Sequence, residues 1–186
     1  RKGEKSMKWT RFCAWALLSV LILGLSSSSD SPDIIYWSED HRLTWKDFEG
    51  QPRFDYESIS ALTSSGIVHY QGCQDGRIIY KVQAYFEKKE SWVKAEALTD
   101  HHLRHEQLHF DITELYARKL RKHLTQRSFK CGEEQEFEAF VAASLESWQV
   151  EQQAFDVMTR HSMDKEAQKE WYYKVANELL LFEDYK

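Results

Sequence analysis

The spacing of apolar residues changes character near residue 99. Before it, apolar and polar positions alternate in short runs. In "RIIYKVQAYF" (77–86), Tyr80, Val82, Ala84 and Phe86 share one face, while Lys81, Gln83 and Tyr85 take the other. A period of two is that of a half-buried strand. The arm "SALTSSGIVHY" (60–70) precedes it, and Gly72, Asp75 and Gly76 in the intervening "QGCQDG" predict a hairpin loop. "DIIYW" (33–37) and "RLTWKDF" (42–48) predict two further short strands with a turn at 38–40. Gly50 and Pro52 mark 49–58 as a loop.

After residue 99 the period becomes helical. Leu103, Leu108, Ile112, Leu115 and Leu120 predict a helix over about 100–124, with Thr99 or Asp100 as its cap. A second helix, about 134–160, carries Phe137, Val141, Leu145, Trp148 and Phe155 along one stripe. The stretch 162–164 breaks that pattern, and a third helix follows over about 165–183 with Trp171, Val175 and Leu179. The predicted fold class is α+β: a small, mostly antiparallel sheet followed by three packed helices.

The first residues read differently. Lys8 and Arg11 follow Met7, Phe12 to Leu25 carry no charge, and a serine run comes next. That layout predicts a secretory signal peptide over 1–28, with an over-extended start before Met7. Residues 29–33 are then a linker and 34–186 a single domain. The apolar run is shorter than the ~20 residues a spanning helix needs, so no stable membrane span is expected after cleavage. Beyond the leader only Cys73 and Cys131 remain. In an exported protein they predict one disulfide, tying the loop between the first two helices to the hairpin. A formal net charge of −5 gives no reason to expect a nucleic-acid partner.

The candidate chemistry sits on the first helix. His105-Glu106-Gln107-Leu108-His109 is a His-Glu-x-x-His pattern. Four residues advance ~400° on a helix, so the two imidazoles share a face, one turn apart. One Zn²⁺ at ~2.0–2.1 Å can take both. Glu106, the next residue round, is placed to take a proton from a zinc-activated water and return it to a leaving amine. His101, His102 and His123 are expected on a solvated face.

A third protein ligand must come from elsewhere, because Asp111 and Glu114 project away from the histidine face of a regular helix. The second helix should run back antiparallel, and its apolar stripe turns polar through Gln152, Asp156 and Thr159, with His161 just beyond. His161 is the expected third ligand, with Asp156 orienting a histidine from behind. The swapped assignment stays open: Asp156 as ligand and His161 as donor to the reaction oxyanion. Thr159 belongs to the same block.

Five stretches together resemble an uncharacterised bacterial family of secreted proteins assigned, by motif, to the zincin-like metallopeptidases. They are "IIYWSEDHRLTWKDFEG", "SALTSSGI", "FEKKESWVK", "LRHEQLHFDITELYARKLRK" and "FDVMTRHSMDKEAQKEW". The family signature is His-Glu-x-x-His followed later by Tyr-Asp-x-x-Thr-x-His-Gly. The resemblance implies His105, Glu106 and His109 on the active helix, and Asp156, Thr159 and His161 as the second block. Two positions depart from it: Phe155 stands where tyrosine is frequent, and Ser162 where glycine is usual. In zincins a strand edge above the active helix pairs with the substrate backbone, which makes the arm 77–86 a candidate edge. Trp92 is expected in core or rim packing rather than at the substrate.

The expectation is an exported zinc-dependent hydrolase, a peptidase acting on a peptide or protein, periplasmic or extracellular in a bacterium. The rival from another class is a non-catalytic envelope binding or structural domain with a zinc-stabilised zincin-like fold. A reactive cysteine is the weakest reading, because both thiols sit in turn-like loops.

Overall fold

Asp75 and Gly76 both take positive φ, 51° and 76°. Two such residues form the tight turn whose twist matches that of the flanking strands. The computed structural model, which describes residues 33–53 and 59–186, therefore closes the hairpin in two residues rather than the predicted six. Pairing runs through Gln74↔Arg77, so Gly72 and Cys73 stay in the ladder. The signal-peptide reading of 1–28 lies outside the described residues.

Strands β1 (Ile34–Tyr36), β3 (Ser65–Gln74) and β4 (Arg77–Glu87) form an antiparallel sheet in the order β1-β4-β3. β2 (Ala61–Leu62) and β5 (Trp92–Val93) make a separate two-stranded pair. The predicted strand over 42–48 is absent: Trp45–Asp47 is a single 3-10 turn. Its cause is local. Thr44 donates its backbone N–H and its hydroxyl to Asp47 Oδ2, a capping arrangement that bends the chain where an extended run would have continued. β4 is also the central strand, flanked by β1 and β3. The arm 77–86 therefore cannot offer a free edge to a substrate.

Three helices follow: α1 (Asp100–Arg127), α2 (Glu134–Thr159) and α3 (Lys165–Leu181). Thr99 caps α1, its hydroxyl accepting from the His102 N–H, and Asp164 does the same for α3 through the Ala167 N–H. α1 is buried on two sides. Phe110, Ala117, Leu120 and Leu124 pack on Val82, Ala84 and Phe86 of the sheet. Leu108, Ile112 and Leu115 pack on Phe155, Trp171 and Val175 of the other helices. Each of the leucine, isoleucine and phenylalanine side chains contributes about 1.5–3 kcal/mol on leaving water, so α1 is held from both faces. Trp92 lies in the core, 2% exposed.

α1 and α2 run antiparallel, and their polar contacts fix the register: His105 faces Asp156, His109 faces Gln152, and Thr113 faces Trp148. Each step of one turn up α1 is one turn down α2. The turn between them is secured by the Cys73–Cys131 disulfide, which joins residues 58 apart in the chain. It is backed by Ile78 N–H donating to Phe129 O and Cys131 N–H to Gly76 O. In the chain-entropy account, closing a loop of this size contributes roughly 4 kcal/mol. Among the described residues, no helix is long and apolar enough to cross a membrane.

Candidate metal centre

The helical register brings three donor atoms together. His105 Nε2 and His109 Nε2 each lie 3.1 Å from Asp156 Oδ1. These three residues form a group whose ligand atoms all lie within 4.8 Å of one another. Two ligands at ~2.0–2.2 Å from one tetrahedral cation stand about 3.3 Å apart, close to the two separations seen here.

The hydrogen-bond directions test the fit more sharply. Gln152 Nε2 donates to His109 O at 2.9 Å and to Thr113 Oγ1 at 3.0 Å. A carbonyl can only accept, which fixes the orientation of the amide. Gln152 Oε1, 2.6 Å from His109 Nδ1, must then accept a proton from it. In the neutral ring, Nε2 is left with its lone pair aimed at the Asp156 carboxylate. Two lone pairs at 3.1 Å repel unless a cation, proton or metal, stands between them. The donor set of two imidazoles and a carboxylate suits Zn²⁺. A Gln152→Leu variant removes the acceptor that sets this tautomer. It should bind zinc about 10–100-fold more weakly in a chelator competition, whereas Gln152→Glu should hold close to the parent value.

His105 is buried and its ring stacks on Phe155, centroids 4.5 Å apart at 25°. Burial pulls its pKa below the ordinary imidazole value, and its hydrogen bond to the Asp156 carboxylate only partly opposes this. For His109 burial acts the same way, but the Asp156 carboxylate outweighs it and the pKa rises. Asp156 itself is pushed up by burial, yet its hydrogen bonds with His105 and His109 hold it well below the usual carboxylate range. The Asp156 carboxylate is therefore charged at neutral pH, as a ligand must be.

Glu106 is buried beside this group, 4% exposed. Its Oε2 accepts from Thr63 Oγ1 at 2.8 Å. Both line a cavity of ≈310 Å³, walled on one side by residues 59–63 and Ser65 and on the other by Trp148, Gln149, Gln152 and Gln153 of α2. His105, His109, Asp156 and His161 line the same cavity.

The other candidates separate clearly. Nδ1 of His161, the expected third ligand, lies 3.5 Å from Asp156 Oδ1, and its side chain is half exposed. Thr159 is fully buried and its hydroxyl donates to Phe155 O, inside its own helix. Asp111 and Glu114 point elsewhere, the first to Trp37 and Arg42, the second to Arg118 and Arg121. His101 is not on a solvated face: its Nε2 lies 2.6 Å from Ser162 O. His102 stands at the rim, its Nδ1 2.8 Å from Thr99 Oγ1. Sequence reasoning missed Thr63, which lies between β2 and β3, and Ser65, which opens β3; both are small polar residues in a run of threonine and serine that marks none of them. Gln152 was visible as the first polar break in the α2 stripe.

The turn after α2 is strained. Arg160, His161 and Ser162 take φ of 51°, 51° and 71° in succession. Each left-handed non-glycine residue costs on the order of 1 kcal/mol or more, and such runs persist only where the surroundings enforce them. Ser162 thus adopts a conformation that glycine would take without strain.

A family profile described as a bacterial protein of unknown function (DUF922) matches residues 80–162. The matched stretch runs from β4 through α1 to the turn after α2, and so contains His105, Glu106, His109, Asp156 and His161. It accords with the resemblance to an uncharacterised bacterial family, and the description carries no activity. No curated protein and no solved structure matches the chain.

Proposed function

We propose that this chain is an exported, zinc-dependent hydrolase of zincin-like type, a peptidase acting on a peptide or protein. The observation that carries the reading is the convergence of His105, His109 and Asp156 on one point in a cavity that Glu106 also lines. In this reading His105, His109 and Asp156 hold zinc, and His161 stands beside them. Bound zinc supplies Lewis acidity, which makes water a better nucleophile near neutral pH and polarises a carbonyl.

The chain's own residues do the rest. Glu106 accepts the proton of the attacking water and passes it to the leaving amine. Thr63 holds one Glu106 oxygen, so the carboxylate keeps its direction in both steps. Gln152 keeps His109 in the tautomer that presents Nε2. His161 donates to the carbonyl oxygen as charge develops on it. Residues 59–63, rather than β4, form the strand-like wall beside the cavity and take the extended backbone of the substrate. The disulfide supports a site of action outside the reducing cytoplasm, periplasmic or extracellular.

Purified in the presence of zinc, the chain is expected to hold about one equivalent of the metal. It should cleave members of a mixed peptide library, lose that activity with a chelator and regain it with added zinc. Stoichiometric zinc with no cleavage would favour the envelope binding domain instead.

A further inference from the structure

We infer that His101 is a positioning residue: it latches the strained turn 160–162 to the start of α1 and so sets His161 at the rim of the metal pocket. The remaining hydrogen bonds of that turn are short-range. His161 N–H donates to Asp156 O at 2.9 Å, Met163 N–H to Arg160 O at 3.2 Å, and Asp164 N–H to Thr159 O at 2.8 Å. All of them end within α2 or the turn itself. They shape the turn without tying it to α1.

The tie is the His101 side chain. Ser162 O can only accept, so His101 Nε2 donates to it, at 2.6 Å. The bond bridges residues 61 apart in the chain. Ser162 is buried, which shields the bond from competing water. The backbone oxygen of His101 meanwhile accepts from Gln168 Nε2 of α3 at 3.2 Å. One residue in the first turn of α1 therefore holds both sides of the α2–α3 connection. Three consecutive left-handed residues relax toward ordinary backbone when such a tie is cut. The side chain displaced by that relaxation is His161, whose Nδ1 lies 3.5 Å from Asp156 Oδ1.

The effect on the turn stands without the hydrolase reading, and only the effect on turnover rests on it. Arg160 is exposed and opens the turn, so trypsin reports its opening directly. In the full chain, His101→Ala is expected to speed tryptic cleavage after Arg160 by about five- to tenfold, the population change that loss of one hydrogen bond allows. Cleavage at other sites should stay at the parent rate, which separates a loosened turn from general unfolding. His101→Gln, which can still donate, should restore most of the protection. Zinc content should stay at the parent level in both variants. If the chain hydrolyses peptides, kcat should fall about tenfold in His101→Ala with KM unchanged. Cleavage after Arg160 at the parent rate in His101→Ala would overturn the latch. So would a faster turn with unaltered kcat in a chain that does cleave peptides, because His161 would then not depend on it. A parent chain without hydrolysis fails the functional proposal alone, and the tryptic result then decides the latch by itself.

Discussion

Glu106→Gln is expected to keep about one equivalent of zinc and to lower kcat by about 10²–10⁴-fold, the range that a positioned general base supplies. In energy this is about 2.7–5.4 kcal/mol of transition-state stabilisation. The substitution suits the geometry. A glutamine side chain has the same shape, and its amide oxygen can accept from Thr63 Oγ1 as Glu106 Oε2 does at 2.8 Å. The amide cannot take up a proton. Glu106 is 4% exposed, and a neutral amide is less costly to bury than a carboxylate, so the replacement should not lower the melting temperature. The measurement is zinc by mass spectrometry, thermal unfolding and steady-state hydrolysis on one preparation. Parent-like turnover in Glu106→Gln would remove Glu106 from the chemistry and leave a metal site without a base.

The helical half of the molecule was legible in the sequence because its signals are local and redundant. Thr99 as a cap, the leucine spacing of α1 and the break at 162–164 each follow from one or two turns of chain. The His-Glu-x-x-His pattern falls on that helix with its histidines on one face. The polar end of the α2 stripe pointed to the residues opposite, because an antiparallel partner must place Gln152 and Asp156 one turn apart, as His109 and His105 are. The two cysteines pair as expected, although Cys73 lies in the β3 ladder rather than in a turn. The β half was less legible. Leu43 and Phe48 are buried, yet they flank a capped 3-10 turn rather than alternate along a strand. That β4 is central depends on β1 returning to pair at 85–87, a long-range choice with no sequence marker. Thr63 and His101 escaped for the same reason. Each acts through a partner more than forty residues away, and neither stands out from its neighbours.

The second large effect separates Asp156 from His161. Asp156→Ala deletes the oxygen that both imidazoles face at 3.1 Å. Loss of a direct ligand should exceed the 10–100-fold loss typical of an outer-shell partner. Zinc should therefore fall well below one equivalent after dialysis, and hydrolysis should fall with it. His161→Ala is expected to behave differently. Its side chain is half exposed and 3.5 Å from the carboxylate, so zinc should stay near one equivalent while kcat falls about 10²–10³-fold, the cost of removing one oxyanion donor. The reverse pattern, with zinc lost in His161→Ala and kept in Asp156→Ala, would make His161 the third ligand and Asp156 its orienting partner. Loss of zinc in both would describe a closed site of four protein ligands, with no position for water. Cobalt substitution reads the same distinction in the parent chain, because three protein ligands plus water and four protein ligands give different visible spectra. A closed site would turn the argument toward a zinc-stabilised binding domain. Glu106 would then be a buried carboxylate held by Thr63 beside a metal that has no room for a substrate.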